Sequence, residues 1–379
     1  MNPTRLLVTC GIVLSTLLAA GCSRIPDTVR IGVAQPLSGP QGPRGNDMKN
    51  GVQLAVDELN AKGFQIDGHP VRLEVVAVDD QSDAVAGRAA ARLLVDADVI
   101  AVVGHLDSAV SIAAAPVYAE AGIPQLAIAT QPGYTQQNLP TTFRLVASAT
   151  QESKALGSFA ATQIAGRRFA VVDDGLPYGR GLADQAANEI RRSGKPVAVR
   201  TSLPDGGDCA ALLAQLKAAQ VDVLVATLAD GQLAGLIPHL VQAGLGGLQI
   251  VGSDTTKTER LPAAASGVRA LFATSPVIEV REFVGGPQFL AKFRQKFGAD
   301  PVYGAHYAYD AVYVLAAAMQ RGGTVQAQQV GVELKHVDAL APVTNNMRFR
   351  GDGEQHYGVV SVYQARAGRW EPAARSDSW

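Results

Sequence analysis

The chain has 379 residues, of which 47% are hydrophobic, and that length suits two lobes of ordinary domain size rather than one core. Lys plus Arg number 33 and Asp plus Glu 34, a formal net charge of -1. With no basic excess to neutralise phosphates and no charged tail, nothing marks a nucleic-acid binder.

The N-terminus reads as an export signal. Arg5 precedes an apolar run from Leu6 to Ala20, broken by Thr9, Gly11, Ser15 and Thr16. That is about the length of a signal-peptide core and short of the ~20 residues that span a bilayer. It ends in Leu18-Ala19-Ala20-Gly21-Cys22, which resembles a bacterial lipobox, although Ala19 stands where Leu is commoner. Residues 1–22 are therefore expected to be a lipoprotein signal, with Cys22 acylated as the mature N-terminus. A cleaved signal with an incidental Cys, leaving a soluble periplasmic protein, is the alternative. Of the three cysteines only Cys209 then remains, so no intramolecular disulfide can form. Cys209 is expected to be a small buried packing residue.

From Val29 onwards strands and helices alternate. Val29 to Ala34 is a β-branched run ended by Pro36, and helical spacing follows through Met48, Val52 and Leu59 to Gly63. Val71 to Val78 reads as a strand and Ser82 to Asp96 as an Ala-rich helix. Val99 to Val103 is a continuous apolar run, the mark of a strand covered on both faces. Ser108 to Ala121 is helical and Pro124 to Ile128 a buried strand. Helix Glu152–Ile164, strand Phe169–Val172 and helix Gly181–Arg192 come next. Strand Val197–Thr201, helix Ala210–Ala219 and strand Val221–Thr227 continue the pattern. Helix Leu233–Ala243 and strands Leu248–Val251 and Val268–Thr274 complete it. Helices Gln288–Phe297 and Ala305–Gln320 and strands Met347–Phe349 and Gly358–Tyr363 close the chain. About ten strands in strand-helix-strand units imply α/β architecture with mostly parallel, doubly wound sheets in two lobes.

Enzyme signatures are missing. No G-x-G-x-x-G, no Walker loop and no G-x-S-x-G elbow occurs, and His69, His105, His239, His306, His336 and His356 lie far apart. No metal site or cofactor is expected, and the chain is read as a non-enzyme. In open α/β sheets ligands bind beyond the carboxyl ends of the strands. Ser108 follows such a strand at a helix N-cap position, suited to a carboxylate or serving as a plain cap. Thr130, Tyr178 and Asp254 likewise follow strands. Thr130 can meet either charged end of a ligand or serve a turn. Tyr178, among turn residues, can face a cleft or lid the core, and Asp254 can pair with an ammonium or cap a helix.

Several collinear stretches are similar to the branched-chain amino-acid-binding family of type I periplasmic binding proteins, which serve ABC importers. They are Ile31 to Pro40, Gly51 to Gly63, Asp79 to Asp83, Val103 to Leu106, Pro116 to Pro124, Tyr178 to Ala183 and Ala308 to Ala311. The resemblance implies two lobes joined by a three-stranded hinge, 28–145 plus 276–355 and 146–275 plus 356–379, with ligand in the cleft between. It implies that Ser108 binds a ligand carboxylate, Thr130 touches both charged ends, and Ala129 lies beside a carbonyl that accepts from the ammonium. Tyr178 would close on the ligand and Asp254 would pair with the ammonium. Arg44 falls where a relative has tyrosine, so it would admit an acidic ligand or sit solvated at the rim. Asp107 replaces a disulfide cysteine and would repel an anion unless turned away. The expected protein is a monomeric, lipid-anchored solute binder at the periplasmic face of a bacterial membrane. It would bind a branched-chain amino acid or related amide or carboxylate for an ABC permease and its ATPase. A sensor of the same fold and an exported hydrolase are the alternatives.

Overall fold

A computed structural model describes residues 25–379; the lipobox with Cys22 lies outside the described residues. The first sheet holds β1 (Thr28–Gln35), β2 (Arg72–Asp79), β3 (Ala101–Gly104), β4 (Gln125–Ala127) and β5 (Thr142–Arg144), all parallel, in the order β2-β1-β3-β4-β5. β1 from Ile31 on and the inner strands β3 and β4 are buried on both faces, which is why they read as apolar runs, while the edge strand β2 is partly exposed. Ile31 and Val33 face one core with Met48, Val52 and Leu59 of α1 (Gly42–Ala61). Ala34 faces the other, with Leu94 of α2 (Ala84–Asp96) and Ala114 and Tyr118 of α3 (Ser108–Glu120).

The second sheet holds β6 (Phe169–Asp173), β7 (Val197–Ser202), β8 (Val223–Thr227), β9 (Gln249–Gly252), β10 (Ala270–Ser275), β11 (Ser361–Arg366) and β12 (Arg369–Arg375). Their order is β12-β11-β10-β9-β8-β6-β7, with only β11 and β12 antiparallel. α4 (Ala149–Thr162) and α5 (Pro177–Arg192) cover one face through Leu156, Phe159 and Ile190. α6 (Cys209–Ala218) and α7 (Asp230–Gln242) cover the other through Leu216, Leu233 and Ile237.

After β10 the chain returns to the first core with α8 (Gly286–Phe297), α9 (Ala305–Gly322) and α10 (Ala327–Leu334). Glu58 of α1 accepts from the hydroxyls of Tyr309 and Tyr313 (2.9 Å each) and from Lys292 (3.0 Å). Buried Asp310 accepts from the N–H groups of Val343 (3.1 Å) and Thr344 (2.7 Å), clamping the hairpin of Asp338–Ala341 and Asn345–Arg348. The chain thus passes between the two sheets three times, near residues 145–148, 275–278 and 355–360.

Several expectations need correction. α5 begins at Pro177, not Gly181, because proline is preorganised for the first helical position. Tyr178 therefore stands on a helix rather than in a turn. The strand expected from Gly358 starts at Ser361, and α10 and β12 are additional to the elements read from the sequence. Cys209 is half-buried at the start of α6, its thiol pushed up by burial and by Asp208.

α1 and α9 approach closely at Gly51, where a Cβ would run into the backbone carbonyl of Ala305. Gly51→Ala is expected to destabilise the protein by about 1–3 kcal/mol through overpacking. Urea unfolding checks it: an unchanged midpoint would show that the two helices slide apart freely.

Candidate functional site

In each lobe the strand order reverses beside a central strand, β1 in the first and β6 in the second, and the loops beyond diverge to leave a crevice. In the first lobe two carboxylates shape those loops. Asp79, ending β2, accepts from the N–H groups of Leu37 and Gln81 (2.9 Å each) and from the Ser38 hydroxyl (2.5 Å). Asp80 bonds His105 Nδ1 at 2.6 Å, and the Tyr118 hydroxyl meets His105 Nε2 at 3.3 Å. The Asp79–Asp83 and Val103–Leu106 stretches therefore serve as scaffold, placing the N-terminus of α3 at the cleft.

Asp107, not Ser108, occupies the N-cap of α3, and its side chain makes no capping bond. Ser108 is the first helical residue. Its Oγ accepts from the N–H groups of Thr130 (3.1 Å) and Gln131 (3.3 Å). With both lone pairs used, the hydroxyl proton remains available to a ligand acceptor. Ala129 is fully buried in a small apolar cluster with Ala115, Ala127 and Tyr134, and its carbonyl accepts from the Arg144 guanidinium. The structure therefore does not bring Ala129 to the cleft.

In the second lobe the Tyr178 hydroxyl donates to Asp254 (3.1 and 3.3 Å to its two oxygens), and Tyr178 lines a cavity with Thr130 of the first lobe. Asp254 directly follows Ser253 at the end of β9, and its N–H donates to Glu152 Oε1 at 2.8 Å. The Thr274 hydroxyl donates to the same oxygen (2.8 Å), while Glu152 Oε2 has no partner. Burial, and then the nearby Asp254 charge, push the Glu152 carboxyl well above its usual range. Burial pushes Asp254 up to about 6, against the Tyr178 hydrogen bond, which lowers it. Both carboxyls therefore hold their protons more tightly than they would in water, and their titrations are linked.

Arg44, Asp107, Ser108, Thr130 and Asp254 line one cavity of about 680 Å³ between the lobes. Tyr178 joins Asp107, Ser108, Thr130 and Asp254 around an adjoining one of about 520 Å³. Donors for an anion come from the first lobe and a carboxylate for a cation from the second. Sequence reasoning missed Glu152, Tyr303 beside Arg44, and the Arg144–Glu354 pair behind Thr130. No short motif announces them, since each acts on a residue distant in sequence. Among the described residues no group of three or more His, Cys, Asp or Glu could hold a metal ion, and no helix is long and apolar enough to cross a membrane.

Two α/β lobes, three crossings and a polar cleft between them define a two-lobed solute-binding protein. The family described as periplasmic binding protein matches residues 28–369, and the chain belongs to it. This is a family of solute binders rather than enzymes, and membership places the body outside the cytoplasm. The chain is similar to Leu/Ile/Val-binding protein homolog 1 of Brucella abortus, 29% identical over 369 residues and 96% of each chain. Its fold matches that of the branched-chain amino acid transporter substrate binding protein LivJ of Streptococcus pneumoniae, solved in complex with isoleucine. There the TM-score is 0.71 at 26% identity, covering 92% of this chain and 98% of that one. A leucine binding protein from Thermotoga maritima shares the fold at TM-score 0.73 and 23% identity, covering 93% and 100%.

The carboxylate pair gives a pH signature. Both groups bind their protons more tightly in the folded protein than in the unfolded chain, so their stabilisation is full at low pH. It is lost as pH rises through the folded values, for Asp254 between 3.8 and about 6. Glu152→Gln is expected to flatten the fall in stability as pH rises towards neutrality, by on the order of 1–2 kcal/mol relative to the parent. Parallel pH-stability curves for the two proteins would show that Glu152 bears no such penalty.

Proposed function

We propose that this chain is the lipid-anchored, extracytoplasmic solute-binding component of an ABC importer, taking a small α-amino acid between its lobes and delivering it to a permease. The observation that carries the reading is the opposite polarity of the two cleft walls. Ser108 and Thr130 on the first lobe present hydroxyls, at the N-terminus of α3, to a carboxylate. Asp254, with Tyr178 beside it, presents a charge to an ammonium. An α-amino acid carries both groups one carbon apart, and relatives named for leucine, isoleucine and valine binding support that class. In this reading 28–145 with 276–355 forms one lobe and 146–275 with 356–379 the other.

The mechanism is a hinged trap. The ligand engages one lobe, and the second closes over it when its charged ends find partners there. The closed form is what the permease recognises. Ligand favours closure only by its differential affinity for that state. Cys22 supplies the anchor.

Thermal-shift screening of the protein against the α-amino acids tests the class, since a ligand that binds only the folded state raises its melting temperature. Ser108→Ala or Thr130→Val is expected to weaken the responding ligand roughly ten- to hundredfold, the worth of a hydrogen bond to a charged group. A folded variant with unchanged affinity would remove that residue from the site. Cys22→Ser is expected to move the expressed protein from the membrane fraction to the soluble one, and unchanged partitioning would dismiss the lipid anchor.

A further inference from the structure

The charges of the main cleft do not cancel. Three cations line it, Arg44, Lys257 and Arg281, among five carboxylates, Asp107, Asp254, Glu259, Glu279 and Asp300. Two of the cations are neutralised by carboxylates of the same cavity, Lys257 by Glu279 at 2.6 Å and Arg281 by Asp300 at 3.1 Å. Arg44 has no carboxylate within 4 Å and no side-chain hydrogen bond among the described residues. Its guanidinium instead lies 4.7 Å from the centre of the Tyr303 ring. Tyr303 is itself held by its backbone, its N–H donating to Asp47 at 3.3 Å. Stacking on a fixed aromatic face orients the planar guanidinium while leaving its N–H edge unused.

We propose that the cleft takes an α-amino acid with a second carboxylate at the end of its side chain, and that Arg44, stacked on Tyr303, binds that carboxylate. This rests on the amino-acid reading of the cleft given above. Ser108 and Thr130 take the α-carboxylate, Asp254 takes the ammonium, and the third charge of the ligand falls to the one cation of the cleft that the protein leaves unpaired. A guanidinium meets a carboxylate through two parallel N–H donors, a geometry that a neutral amide cannot match. Asp107 and Glu259 line the same cavity and are the competing partners for Arg44. If Arg44 only offsets either of them, the cleft gains nothing from an acidic side chain.

Titration calorimetry of the protein with L-aspartate, L-asparagine, L-glutamate, L-glutamine and L-leucine decides. One of the two acids is expected to bind about ten- to hundredfold tighter than its amide and than leucine. Arg44→Gln, with its melting temperature unchanged, is expected to erase the difference between acid and amide, while Ser108→Ala weakens acid and amide alike. Leucine binding as tightly as either acid, or an acid–amide difference that survives Arg44→Gln, overturns the assignment of Arg44 and leaves the amino-acid reading standing. Failure of every tested amino acid to bind overturns both.

Discussion

The first wall of the cleft depends on one buried charge. The Arg144 side chain has no solvent exposure, yet a guanidinium stays protonated in any protein. Such a group is tolerated only when its donors find acceptors. Nε and one terminal nitrogen of Arg144 meet the two oxygens of Glu354 at 3.0 Å each. The remaining donors go to the Ala129 and Gln131 carbonyls and to the Thr135 hydroxyl. The loop after β4 is thereby wrapped around the charge, with the carbonyls on both sides of Thr130 turned toward it. Thr130 uses its own backbone elsewhere: its N–H goes to Ser108, and its carbonyl accepts from the Ala149 N–H at the start of the second lobe (2.8 Å). Glu354 lies just ahead of the third crossing, so the same ion pair fixes where that crossing leaves the first lobe.

The second wall is organised by repulsion rather than pairing. Glu152 and Asp254 come from α4 and the end of β9 and meet where water is scarce. Burial makes two ionised carboxylates there unfavourable, so both carboxyls are pushed above their usual range. The Tyr178 hydroxyl donates to Asp254 and so steadies its ionised form. In the proposed reading, an ammonium arriving beside Asp254 would favour the ionised form of the pair. Holding the pair in place in advance would avoid reorganisation when the ligand arrives, at the expense of folded-state stability at neutral pH.

The strands were legible because parallel sheets bury both faces: Val99–Val103 needs no partner to be recognised. Ser108, Thr130, Tyr178 and Asp254 could be marked because each follows a strand, where cleft residues stand in such sheets. What failed to show was whatever depends on distant pairing. Arg144 and Glu354 lie 210 positions apart, and Glu152 and Asp254 lie 102 apart. The return of α9 to the first lobe was likewise invisible to spacing and came only from the resemblance. Local chemistry caused the smaller errors. Pro177 opens α5 ahead of its apolar stripe, and Asp107 takes the cap position that the sequence pattern assigns to Ser108. The exposed edge strand β12 lacks the apolar run that marks a buried strand.

The two walls together explain why closure and ligand belong to one equilibrium. Without ligand, an approaching second lobe brings the Asp254 charge and the unpartnered Glu152 oxygen toward a first-lobe wall whose own carboxylate is Asp107. Closing over water alone would strip solvent from the Asp254 carboxylate, whose one side-chain partner is the Tyr178 hydroxyl. In the proposed reading an α-amino acid would reverse the sign of that step, its ammonium meeting Asp254 and its carboxylate the hydroxyl proton of Ser108. Neither lobe offers both partners, so neither alone can hold such a ligand as well as the two together. In that reading the ligand's differential affinity for the closed state is what shifts the hinge towards closure.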